Sequence, residues 1–84
     1  MRTLVFTEKA LKDLQKLDKL AKRRIIKTLH QFRLDDQEAL PLTGSWKNWY
    51  KLRVGNYRIL LTKERNNIWI VGYLRHRKEV YKKK

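Results

Sequence analysis

Tyr50-Lys51-Leu52-Arg53-Val54-Gly55-Asn56-Tyr57-Arg58-Ile59-Leu60-Leu61 alternates in character around a central Gly55-Asn56. Such a dipeptide suits a two-residue hairpin turn, so the run reads as two antiparallel strands. A tight turn there sets Val54 opposite Tyr57 and Arg53 opposite Arg58. A second tight turn at Asn66-Asn67 pairs Arg65 with Ile68, and counting back sets Arg58 opposite Arg75. Three cationic side chains then form one row across three neighbouring strands. Like charges directly opposite destabilise a sheet by roughly 0.2–1 kcal/mol per pair. A fold tolerates such a row most easily where an anion belongs, and phosphate is the obvious candidate.

The rest of the chain supplies elements to carry this meander. Leu4-Val5-Phe6 reads as a short first strand. Thr7 is placed to cap a helix with Ala10, Leu11, Leu14 and Leu17 at helical spacing. Asp18 caps a second helix with Ala21, Ile25, Leu29 and Phe32 along one stripe. Residues 35–48 hold Pro41 and Gly44 and read as a loop, with Leu40, Leu42, Trp46 and Trp49 packing it down. Three strands follow, roughly Trp49 to Val54, Tyr57 to Lys63 and Ile68 to Arg75. The expectation is an α+β fold: a small antiparallel β-sheet in β-α-α-β-β-β order, with an N-terminal helical hairpin packed on one face. Residues 1–84 form a single domain.

The hairpin register assigns the faces. Leu52, Val54, Tyr57, Ile59, Leu61, Ile70 and Leu74 are expected to face the helices. Lys51, Arg53, Arg58, Leu60, Trp69, Val71, Tyr73 and Arg75 are expected on the other side. A one-residue slip would exchange every side chain between faces, so the pattern constrains the register. The tryptophans read as packing residues, with Trp69 the exception because it shares the arginine face.

Composition narrows the partner. The 84 residues contain 22 Lys and Arg against 8 Asp and Glu, a formal charge of +14. A comfortable net charge for a small domain is about 2–8, so nucleic acid leads as the partner, with an acidic protein compatible with the same charge. The lysines and arginines on the outer helix faces read as a solvated, generally attractive surface. There is no cysteine, and the two histidines make no convincing metal-ligand spacing with acidic residues. No metal or cofactor is expected. Nothing resembles a membrane span or signal peptide, so a cytoplasmic protein is expected.

Lys51, His76 and Tyr81 are expected within reach of the arginine end of the sheet. That combination suits metal-free cleavage of RNA. A base takes the 2′-hydroxyl proton, cations stabilise the charged phosphorane, and an acid protonates the 5′ leaving oxygen. An aromatic ring can hold a base splayed from its stack. Histidine is the side chain whose ordinary pKa lies nearest neutrality. Arginine stays protonated and cannot readily accept a proton. His76 and Lys51 are therefore the rival candidates for the base.

Leu42-Thr43-Gly44, the run from Trp49 to Arg58, and His76-Arg77-Lys78-Glu79-Val80-Tyr81 together resemble the RelE toxins of the RelE/ParE superfamily of toxin–antitoxin systems. The resemblance covers essentially the whole chain. It implies a ribosome-dependent endoribonuclease that cleaves messenger RNA in the 30S A site and is neutralised by a cognate antitoxin. Carried over by position, the family's active-site cations fall on Lys51, Arg53, Arg58 and Arg75, and its stacking tyrosine on Tyr81. Arg77 joins the RNA-binding set. His76 stands where many relatives place a catalytic histidine, whereas others rely on lysines. This chain carries Arg53 where the lysine-dependent relatives have a second lysine, which favours His76 as base or acid and keeps Lys51 as rival. A ParE-like toxin acting on DNA gyrase and a non-catalytic RNA- or ribosome-binding module are the competing readings.

Overall fold

The computed structural model describes residues 1–76; Arg77 and Tyr81, both named above, lie outside the described residues. The chain runs β1 (Thr3–Phe6), α1 (Glu8–Gln15), α2 (Lys19–Arg33), β2 (Leu40–Pro41), a 3-10 turn (Gly44–Trp46), β3 (Trp49–Val54), β4 (Tyr57–Arg65) and β5 (Ile68–His76). The sheet has the strand order β1-β5-β4-β3-β2. It is antiparallel except for β1, which pairs parallel to β5. The helical hairpin expected from Thr7 and Asp18 is present. The loop contributes something the sequence reading lacked, a two-residue edge strand in which Leu40 pairs with Lys51.

Both helices start at capping side chains. Thr7 Oγ1 accepts from the Ala10 N–H at 3.0 Å, and Asp18 Oδ1 accepts from the Ala21 N–H at 2.8 Å. Such caps contribute about 1 kcal/mol each by satisfying donors that the first helical turn leaves unpaired. Ile25, Leu29 and Phe32 of α2 are buried against the sheet, as their spacing implies. On α1, Ala10 faces inward but Leu11 does not and is 45% exposed. The inward position one turn along is taken by Asp13.

Asp13 and Thr7 show how α1 completes the sheet. β1 pairs with β5 only as far as Val71. Beyond that point the outward groups of β5 need other partners. The Thr7 N–H donates to the Val71 carbonyl at 3.1 Å, and Thr7 Oγ1 donates to the Gly72 carbonyl at 3.0 Å. The Leu74 N–H then donates to buried Asp13 Oδ2 at 3.3 Å, and Lys9 Nζ pairs with Asp13 Oδ1 at 3.2 Å. Thus α1 continues the edge that β1 abandons and fixes β5 next to Arg75.

A second clasp ties the residue before β1 to the C-terminal end of α2 and the segment after it. Arg2 donates to the carbonyls of Phe32 and Gln37 at 2.8 and 2.9 Å and grips Glu38 through both carboxylate oxygens. Its guanidinium also lies 4.2 Å from the centroid of the Phe32 ring. An arginine can satisfy these partners together because its planar fork presents several donors at once. Arg2 is therefore a structural cation that closes the C-terminal end of α2.

The pairing of β4 with β5 corrects the assignment of faces. It begins with Arg65 opposite Ile68, slips by one residue so that Lys63 opposes Trp69, and slips back so that Leu60 opposes Tyr73. Glu64 is the extra residue of the first irregularity and Gly72 of the second. Between the two, the side chains of β5 exchange faces. Trp69 and Val71 consequently join the helix-side core and Ile70 leaves it, the reverse of the sequence expectation. Trp69 packs edge-on against Phe32 with ring centroids 5.0 Å apart. Because the two slips cancel, Arg58 still meets Arg75.

Candidate nucleic-acid interface

The hairpin turn at Gly55-Asn56 works as the sequence implies, with Gly55 at φ +59°, a conformation that costs glycine little. The turn sets Val54 opposite Tyr57 and Arg53 opposite Arg58. The restored register of β4 and β5 sets Arg58 opposite Arg75. The row therefore exists, spanning three strands, or about 10 Å at two strand spacings. It lies on the sheet face away from the helices. Arg53 is exposed, Arg75 half-buried, and Arg58, in the centre, only 7% exposed. A guanidinium tolerates burial better than an ammonium because its charge is delocalised and weakly hydrated.

Lys51 shares this face, two residues before Arg53 on β3 and opposite Leu60. Its diagonal neighbour across the strand pair is Arg58, a separation long side chains can bridge. Lys51, Arg53, Arg58 and Arg75 are thus brought together. His76 is not on that face. It follows Arg75 directly on β5 and opposes Tyr57, so the pleat turns it to the helix side. There its ring stands 5.4 Å from that of Tyr57, at the edge of an open groove of about 440 Å³ also lined by Lys9, Asp13, Lys16, Leu17 and Arg75. Sharing that groove, His76 sits next to the Arg75 end of the row, although alternation turns it to the opposite face of β5.

The other half of the face is aromatic. Trp46, Trp49 and Tyr73 contact one another, with centroids 5.8 Å apart for Trp46–Trp49, 6.2 Å for Trp46–Tyr73 and 5.5 Å for Trp49–Tyr73. The Trp49 ring lies over Gly72, where an added Cβ would come within 2.7 Å of it. Arg75 joins the two halves, its guanidinium 5.1 Å from the Tyr73 centroid. Leu60, fully buried although outside the helix-side cluster, belongs to this second layer. Sequence reasoning placed Tyr73 on this face but left Trp46 and Trp49 as packing residues and singled out Trp69 instead. A glycine inside a strand run was the available signal, because it marks a bulge or a close approach.

Among the described residues, no group of three or more potential ligands could hold a metal ion, and no helix is long and apolar enough to cross a membrane. The face is a surface of three arginines and a lysine bordered by aromatic rings, which can bind a polyanion carrying flat groups.

Solved structures place this architecture in the RelE-like fold. The isolated RelE toxin of E. coli superposes with a TM-score of 0.76 at 24% identity, covering 96% of this chain and 92% of that one. A mutant of YafQ from E. coli gives 0.77 at 13% identity, covering 98% and 100%. The RelBE2 toxin–antitoxin complex from Mycobacterium tuberculosis gives 0.67 at 24% identity, covering 89% and 96%. At these identities the likeness carries the fold alone. Among curated proteins, none matches this sequence. Residues 4–81 match the family model described as the ParE toxin of type II toxin–antitoxin system, parDE, and the chain belongs to that family. It is a toxin of a toxin–antitoxin system, within the RelE/ParE superfamily.

Proposed function

We propose that the toxin is a ribosome-dependent endoribonuclease that cuts messenger RNA in the 30S A site, with the scissile phosphate held on Arg53, Arg58 and Arg75. The observation that carries this reading is the row itself, with a buried guanidinium at its centre and a further cation, Lys51, on the same face. A base takes the proton from the 2′-hydroxyl, and that oxygen attacks the adjacent phosphorus. The P–O5′ bond breaks, the 5′ oxygen leaves with a proton from an acid, and a 2′,3′-cyclic phosphate remains. Arg58 faces the charge that builds on the phosphorane, while Arg53 and Arg75 orient the backbone. Lys51 is the proton acceptor favoured by position, because it shares the face of the row, whereas alternation sets His76 on the other face of β5. Tyr81 and Arg77 enter as the stacking and RNA-binding residues implied by resemblance.

A cognate antitoxin is the second partner of this reading. Several solved relatives are complexes of a RelE-type toxin with a RelB antitoxin. For this chain, an antitoxin with an acidic, amphipathic segment suits a surface of net charge +14.

A second reading, inhibition of DNA gyrase, is favoured by the ParE description of the matching family. Induced expression separates the two. Ribonuclease action shortens translated messages at codons in the A site, detectable by primer extension, and Arg58→Ala abolishes the cuts. Intact messages accompanied by DNA damage would instead establish the gyrase reading.

A further inference from the structure

We infer that Trp46, together with Tyr73, forms a stacking site for one unpaired nucleobase adjoining the phosphate on the arginine row. The inference rests on the RNA reading above and extends it to residues that the fold, not the sequence, brings together. Tyr73 stands two residues from Arg75 on β5, and Trp49 two residues from Lys51 on β3, all on one face. Two residues of strand span about 7 Å, so rings and cations are a short step apart along each strand. The contact of Arg75 with the Tyr73 ring makes them one continuous surface.

The three rings have different tasks. Trp49 is committed to packing, since its six-membered ring fills the space left by Gly72 at the bulge. Trp46 comes from the 3-10 turn, whose backbone is fixed by the Trp46 N–H donating to the Thr43 carbonyl and the Lys47 N–H to the Gly44 carbonyl. It is half-buried and stands nearly perpendicular to both of the others, at 85° to Trp49 and 89° to Tyr73. Perpendicular rings make a corner. A flat base laid into it stacks on one ring and turns its edge to the face of the other, which suits the quadrupoles of both contacts. Base–aromatic stacking tolerates any sequence because every base has a π-face. The ligand class is therefore single-stranded RNA with a base free of pairing.

The test measures binding of the full-length toxin to two dye-labelled oligomers of equal length and charge by fluorescence anisotropy. One is a single-stranded oligoadenylate, and the other has abasic ribose-phosphate units throughout. Trp46→Ala is expected to weaken oligoadenylate binding about tenfold, given the usual strength of one stacked base, and to leave the abasic oligomer unaffected. Trp46→Phe, which keeps a flat ring, should restore most of the loss. Arg58→Ala should weaken both oligomers alike. If circular dichroism shows Trp46→Ala unfolded, Trp46→Leu replaces it, keeping apolar cover without the ring, and the same tenfold loss is expected. Equal effects on the two oligomers, or none on either, would overturn the stacking site while leaving RNA binding standing. Wild-type toxin that binds neither oligomer would refute the RNA reading and this inference with it.

Discussion

Arg53, Arg58 and Arg75 differ in what they contribute, although they share one row. Arg53 is exposed, so replacing it removes charge without opening the core. Arg53→Gln is expected to raise stability in urea titrations by about 0.2–1 kcal/mol at low salt, the usual penalty of opposed like charges. The gain should shrink as salt screens the repulsion. The same substitution should weaken RNA binding, so stability and function move in opposite directions. Asp13 is the complementary case, an acid whose burial serves the sheet. Asp13→Ala leaves the buried Leu74 N–H without its acceptor and is expected to destabilise by about 1–3 kcal/mol in the same titration. Asp13→Asn keeps an acceptor oxygen and should recover part of that loss. Neither the clasp of Arg2 nor the acceptor role of Asp13 was legible in the sequence, because both depend on contacts thirty or more residues away.

Strands β3 and β4 follow their sequence closely, because Gly55-Asn56 marks the turn and the alternation on either side is regular. β5 does not, because the alternation count carries no mark for an inserted residue. Counting from Asn66-Asn67 gave the correct partner for Arg58 only because the irregularities at Glu64 and Gly72 cancel. Between them Trp69, Ile70 and Val71 lie on the faces opposite to those the count assigns. Gly72 is the device that makes the second slip possible. Gly72→Ala would press a Cβ to within 2.7 Å of the Trp49 ring. The expected outcome is a loss of about 1–3 kcal/mol, as for other overpacking substitutions. Thermal unfolding measures the loss, and altered tryptophan fluorescence would report the displaced ring. His76 follows the alternation, since adjacency to Arg75 along the chain places it on the other face of β5 while both line one groove.

At the scale of the molecule, the helices and the candidate RNA face lie on opposite sides of the sheet. The hairpin of α1 and α2 occupies one side, and the cations and aromatic rings occupy the other. An excess of fourteen positive charges on 84 residues adds a general attraction to any polyanion. RNA affinity is therefore expected to fall steeply and linearly on a logarithmic salt scale, with a slope that Arg58→Ala reduces. On the proposed reading, charge of this kind concentrates the toxin on RNA, and the row is what cleavage requires. The most direct measurement is the rate of messenger cleavage by purified toxin on programmed ribosomes. Wild-type toxin should cut within the A-site codon, Arg58→Ala should cut about 100- to 1000-fold more slowly, and Lys51→Ala should lose more activity than His76→Ala. Full cleavage by Arg58→Ala, or none by the wild type, would contradict the assignment of the arginine row to a scissile phosphate.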